Sequence, residues 1–195
     1  MTDSAVSLPF DAMIIAGGRG TRLGGVSKPD LVVGGRPLLD LALEAVAGAA
    51  CVAVVGGPRR DEARWTVEEP AGAGPAAALA AGLAELARDR DRGPSPVTVV
   101  LGVDTPLAGE AVPVLVAAAS AAHGAWVVDG EGFPQFLLAA YPTASLASRC
   151  SADLAGASLR RLVGDLPMTA VPDVRGLSRD LDTPDDQRYW KERMG

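Results

Sequence analysis

The apolar β-type run Met13-Ile14-Ile15-Ala16 breaks at Gly17 into a loop that holds five glycines and two arginines before closing on Lys28. No acidic residue interrupts it. Residues without a Cβ let backbone N–H groups come close to a ligand, and successive N–H groups of that kind form a nest for anionic oxygens. Arg22 and Lys28 add full positive charge. A strand that ends in such a loop predicts an α/β fold with an anion cradle at the carboxyl edge of a sheet. The competing reading is a glycine-rich turn whose basic residues are solvated.

Two common phosphate loops are excluded by single residues. The Walker pattern has its glycine spacing from Gly20 to Gly25, but Val26 stands where its lysine belongs. The dinucleotide fingerprint begins at Gly18 and Gly20 but ends on Leu23 instead of glycine. A dehydrogenase of the Rossmann type is disfavoured accordingly.

The rest of the chain alternates β-type and Ala/Leu-rich segments. Strands are expected at 12–16, 51–55 and 97–102, with helices at 37–47 and 74–87, where Pro75 suits a first turn. The unbroken Val-Thr-Val-Val-Leu of 97–101 predicts a strand covered on both faces. Further on, helices are expected at 111–122, 144–149, 158–163 and 183–193, and strands at 125–128 and 136–141. Residues 88–96 read as a charged surface loop. The pattern predicts one domain over 1–195 with a flexible start at 1–10. Its expected architecture is three-layer α/β/α around a mostly parallel, Rossmann-like sheet.

Bulk properties narrow the function. The net charge of −6 offers no general basic face to nucleic acid or an anionic membrane. Residues 1–8 lack the basic start and apolar stretch of a secretory signal, and no apolar run is long enough to span a bilayer. Cys51 and Cys150 are too few for a disulfide framework and are not spaced as a metal site. A cytoplasmic location is expected. One histidine and no Gly-x-Ser-x-Gly leave no triad for covalent catalysis, and direct displacement at phosphorus remains.

Five further stretches carry chemistry. Gly102-Val103-Asp104-Thr105-Pro106 places a carboxylate where the most apolar strand ends, the edge at which this architecture builds its sites. One such aspartate suffices to anchor a hard Mg²⁺ ion, which takes its other ligands from substrate phosphates and water. A turn-capping aspartate before Pro106 is the alternative. Asp180-Leu181-Asp182-Thr183-Pro184-Asp185-Asp186 reads locally as a capped helix start with acids at the positive dipole end. Glu68-Glu69-Pro70-Ala71-Gly72-Ala73-Gly74-Pro75 reads as a glycine-rich approach to the next helix. Asp129 to Phe136 and Ser158-Leu159-Arg160-Arg161-Leu162 complete the set, the arginine pair being either a phosphate contact or a solvated helix face.

Together these stretches resemble the MobA-like nucleotidyltransferases. The family signature Leu-Ala-Gly-Gly-x-x-x-Arg-Met-Gly-x-x-Lys-x-Leu is matched by Ile15-Ala16-Gly17-Gly18, Arg22-Leu23-Gly24, Lys28 and Leu31, with one extra residue before the lysine. Its Asp-x-Pro, Glu-Asp-Pro-x-Gly-x-Gly-Pro, Asp-Gly-x-x-Gln-Pro and Asp-Thr-Pro elements fall on 104–106, 68–75, 129–136 and 182–184. The resemblance implies a nucleotide-diphospho-sugar transferase type of sheet and the transfer of GMP from GTP to molybdopterin, with pyrophosphate released. It implies nucleotide contacts at Ile15, Ala16, Gly17, Gly18, Gly20, Thr21, Arg22, Lys28, Glu69, Gly74 and Asp104, with Arg22, Lys28 and Asp104 catalytic. It also implies Mg²⁺, or Mn²⁺ in its place, on Asp104 with Asp182 as a second ligand. Gln135, Arg160 and Asp180 fall on the molybdopterin side, and proteins of molybdoenzyme maturation are the implied partners. GTP rather than CTP follows from Gly17, where cytidylyl-transferring relatives carry alanine. The alternatives are a cytidylyl- or sugar-phosphate nucleotidyltransferase of the same fold and a non-catalytic nucleotide-binding regulatory module.

Overall fold

The computed structural model describes residues 8–17, 27–88, 92–150 and 154–195. β1 (Phe10–Ile15) is buried along its whole length. It begins inside the segment expected to be flexible, because Phe10 packs into the core. β1 lies in a seven-stranded sheet with β4 (Val52–Val55), β5 (Arg64–Thr66), β6 (Val97–Gly102), β7 (Gly124–Val128), β8 (Pro134–Pro142) and β9 (Met168–Pro172). The order is β5-β4-β1-β6-β8-β7-β9. β8 runs against both neighbours and every other adjacent pair is parallel. The expected mostly parallel sheet is therefore what the chain forms.

Helices cover both faces, as residue alternation on the strands requires. Ala12 and Ile14 of β1 face one core with α1 (Leu38–Ala45), α3 (Ala108–Ala118) and the buried Trp190 of α6 (Pro184–Met194). Met13 and Ile15 face the other, with α2 (Pro75–Leu86), α4 (Thr143–Arg149) and α5 (Leu159–Val163). A Val-rich β6 between two apolar layers is the burial that its unbroken sequence predicts.

Four strands go beyond the expectation, and the helix expected at 111–122 is displaced to Ala108–Ala118. β5 is a three-residue edge strand with two polar side chains, β9 is an edge strand with no fully buried residue, and β2 (Val32–Val33) with β3 (Arg36–Pro37) is a small hairpin turned by Gly34 and Gly35. α3 begins three residues earlier than expected, at Ala108, so Pro113 lies inside the helix and removes one hydrogen bond to the preceding turn. The loop before β6 is also more than surface. The buried Asp11 carboxylate accepts from Arg92 at 2.8 Å, from the Ser95 amide at 2.9 Å and from the Ser95 hydroxyl at 3.0 Å. These bonds pin the loop to the foot of β1.

Register decides where the site forms. Ile15 pairs with Gly102, so β1 and β6 end level. The glycine-rich loop and Asp104 therefore leave the sheet side by side.

Candidate active site

The first residues of the loop are held against β4. Ala16 donates to the Val55 carbonyl at 2.9 Å. Gly56 comes so close that a Cβ on it would sit 2.8 Å from the Gly17 Cα, and its φ of +73° also favours glycine. Ile15 and Ala16 are buried, whereas Gly17 is exposed and lines a cleft of about 300 Å³. Lys28, Glu68, Gly72, Gly74, Pro75 and Asp104 line the same cleft. Gly18, Gly20, Thr21 and Arg22 lie outside the described residues.

Lys28 sits in a 3-10 turn (Lys28–Asp30) whose Pro29 is buried. Its ammonium donates to Asp104 Oδ2 at 2.8 Å and to Asp182 Oδ1, bridging two acids far apart in the chain. Burial pushes the Lys28 pKa down, but Asp104 and then Asp182 outweigh it and hold the ammonium above its ordinary value. Lys28 is thus a fixed cation near neutral pH rather than a proton acceptor.

Asp182 reaches Lys28 because the Leu181 amide donates to the Asp104 carbonyl at 2.9 Å, tying its segment to the end of β6. The helix start expected there is also present. Thr183 caps α6 by accepting from the Asp186 amide, and the Asp186 carboxylate accepts from the Thr183 amide in return. Capping and the Lys28 bridge are performed by neighbouring residues of one segment.

Asp104 is positioned by Gly102. A Cβ at Gly102 would lie 2.6 Å from Asp104 Oδ1, while the next atom, Leu137 Cβ, is at an ordinary 3.6 Å. Gly102→Ala should therefore displace the carboxylate and leave the strand intact. The expected result is a roughly 10²-fold loss of activity, the scale of an ångström-sized misplacement, with the melting midpoint nearly unchanged. Retained activity would show that Asp104 need not stand where it does.

Two neighbouring acids separate at the base of the cleft. Glu68 is buried, lines the cleft and accepts from the Gly72 amide at 2.9 Å. Glu69, the residue singled out by the sequence, is exposed and lines a separate depression beside α2. Adjacent side chains of an extended segment point to opposite sides, and a one-residue parity of that kind cannot be read from two consecutive glutamates. α2 opens on Gly74 and Pro75 with no acid in its first turn, so its N-terminal dipole end is left for an anion.

A second pocket of about 230 Å³ lies on the other side of Asp104 and Thr105. Gln135, Leu159, Ser178 and Asp180 line it. Partial burial, then repulsion from Asp182, Asp104 and Asp186, holds the Asp180 carboxyl above its ordinary range. Arg160 is exposed on α5 beside this pocket and does not line it. Asp104 is thus common to both pockets, and Lys28, which lines the first, bridges it to Asp182. Among the described residues no three His, Cys, Asp or Glu side chains group as a metal site made by protein alone. No described helix is long and apolar enough to cross a membrane.

Comparison with known proteins bears on family and fold. Residues 12–171 match the model of the MobA-like NTP transferase domain. The chain is 34% identical over 142 residues to the molybdenum cofactor guanylyltransferase of Acidiphilium cryptum (strain JF-5), covering 69% of this chain and 67% of that one. Molybdopterin-guanine dinucleotide biosynthesis protein A from Archaeoglobus fulgidus has the same fold at a TM-score of 0.70 and 23% identity, over 94% of this chain and 97% of that one. 2-C-methyl-D-erythritol 4-phosphate cytidylyltransferase from Thermus thermophilus is more distant, at a TM-score of 0.58 and 21% identity over 93% and 96%. At those identities the two solved structures speak for the fold alone. The family match spans most of the chain, and on that ground the protein belongs to the MobA-like NTP transferase family and is a nucleotidyltransferase.

Proposed function

We propose that the chain transfers GMP from GTP to the terminal phosphate of molybdopterin and releases pyrophosphate. The observation that carries this reading is Lys28 held between Asp104 and Asp182 where the two pockets meet. A nucleotide in the first pocket and an acceptor in the second would place the α-phosphorus beside that cluster. The first pocket suits GTP: its floor is the exposed Gly17 and the Gly72–Gly74 turn, and the dipole end of α2 faces it.

Lys28 exchanges its acid partners for the α-phosphate and offsets the charge that grows there as the bond to pyrophosphate lengthens. The nucleophile is a phosphate oxygen that is already an anion, so no side chain has to remove a proton. Asp104 and Asp182 each contact one ammonium, so their oxygens converge on a single cationic centre and fit a hard divalent ion once Lys28 turns to the nucleotide. Mg²⁺ held there, with Mn²⁺ as a substitute, would supply charge neutralisation across the phosphates. Arg22 and the glycine loop complete the grip on the β- and γ-phosphates.

Pyrophosphate release from each nucleoside triphosphate, with and without molybdopterin, tests the reading. Release is expected only with GTP and molybdopterin together. Release with CTP alone would reject guanylyl transfer, and tight GTP binding without turnover would favour a binding module. Gly17→Ala refines the choice of base. Among the described residues its Cβ would meet only the Val55 carbonyl, at 3.9 Å, so the added methyl group would stand in the cleft proposed for the nucleotide. The expected outcome is a shift of about tenfold in kcat/KM from GTP toward CTP, the usual cost of one methyl group in a pocket. An unchanged ratio would remove Gly17 from base selection.

A further inference from the structure

The second pocket carries a pattern of hydrogen-bonding polarity that its lining residues alone do not reveal. Gln135 and Ser178 can ordinarily both donate and accept, and each normally adapts to its ligand. Here each has its donor committed to a carboxylate. The Gln135 amide nitrogen donates to Asp129 Oδ2 at 2.9 Å and contacts the Phe133 carbonyl at 3.4 Å. Both of those partners are acceptors, which fixes the amide so that Oε1 is the polar atom left to the pocket.

Asp129 is itself held rigidly. Its other oxygen accepts from the amides of Glu131 and Phe133, both at 2.9 Å, and so builds the turn that joins β7 to β8. On the opposite wall the Ser178 hydroxyl donates to Asp173 Oδ2 at 2.6 Å, and the Ser178 amide donates to the same oxygen at 2.9 Å. Leu177 supplies a further amide to Asp173 at 2.6 Å. Burial pushes the Asp173 carboxyl up, but the Ser178 and Leu177 donors outweigh it and hold it below the usual range. An ionised Asp173 can only accept, so the serine proton stays directed at it. Asp180 adds a third oxygen to the lining. Among the described residues, Thr105 is the one polar side chain of this pocket whose donor is not committed in this way.

We infer that Asp129 and Asp173 are positioning residues that lock Gln135 and Ser178 as acceptors, so that the second pocket selects a heterocycle edge rich in N–H donors. The inference rests on the proposed function in taking this pocket as the acceptor-substrate side, and it states what chemistry that substrate presents there. A 2-amino-4-oxo ring edge, with its exocyclic amino group and adjacent ring N–H, fits. The same ring with a carbonyl in place of the amino group would set oxygen against oxygen.

The test uses that pair as probes. Calorimetric titration of the full chain with pterin and with lumazine, its 2-oxo counterpart, should give binding at least about tenfold tighter for pterin. Asp129→Asn keeps an oxygen for the turn amides but presents an amide nitrogen to Gln135. Gln135 then turns over, its nitrogen faces the pocket, and the pterin preference disappears or reverses. A merely structural role for Asp129 would weaken both probes alike and leave their ratio unchanged. Gln135→Met leaves the Asp129 turn untouched and should also lower the ratio, which keeps the test decisive if the asparagine variant folds poorly. Equal binding of both probes to the unaltered chain, or an unchanged ratio in Gln135→Met, overturns the inference. Loss of pyrophosphate release from GTP and molybdopterin, with the pterin preference intact, would instead reject the proposed activity and leave the inference standing.

Discussion

Asp104→Ala is expected to lower kcat for the proposed GMP transfer by about 10³-fold or more while the protein stays folded. The magnitude is that of removing a preorganised electrostatic group from a reacting centre, compounded by loss of the anchor proposed for the divalent ion. Stability should be little affected, because the side chain is about a quarter exposed and its one described ion pair, with Lys28, leaves that lysine still bonded to Asp182. Single-turnover measurement with saturating GTP, beside a melting curve, separates chemistry from folding. Activity within a few-fold of the unaltered enzyme would strip Asp104 of any role at the phosphates.

Lys28→Ala should be the second largest effect, about 10²- to 10³-fold on kcat, with a much smaller rise in the KM for GTP. The ammonium is spent on Asp104 and Asp182 before the nucleotide arrives, so exchanging those partners for the ground-state triphosphate gains little. Its gain comes as charge builds at the α-phosphate. The variant also leaves Asp104 and Asp182 facing each other without the cation between them. With that competing ammonium gone, turnover in Lys28→Ala should saturate at less Mg²⁺ or Mn²⁺ than in the unaltered enzyme. A loss confined to KM would make Lys28 a tether for the phosphates.

Much of this arrangement was legible in local sequence, and the rest depends on register and long-range bonds. β6 is bounded as expected because five consecutive β-type residues ending in glycine leave little choice. Asp104 follows at once, so its place on the carboxyl edge was readable before any tertiary contact was known. The 182–186 segment announced a helix cap, which Thr183 and Asp186 form. What brings Asp182 to Lys28 is the backbone bond from Leu181 to Asp104, and no local pattern encodes it. Glu68 and Glu69 are consecutive and of one residue type, and which of them enters the cleft is decided by the turn after β5, where the Gly72 amide donates to Glu68. β5 and β9, three and five residues long at the sheet margins, gain their identity from neighbours rather than from composition. Asp129 and Asp173 were invisible as positioning groups because their partners are chosen by the turns they build.

The most direct test is a crystal structure of the enzyme with Mg²⁺ and a GTP analogue whose α- and β-phosphorus atoms are joined through carbon. The account predicts one nucleotide in the cleft between Gly17 and Gly74, Lys28 turned from Asp182 onto the α-phosphate, and the metal ion on Asp104. A triphosphate bound away from that cleft, with the bridge from Asp104 through Lys28 to Asp182 undisturbed, would contradict it.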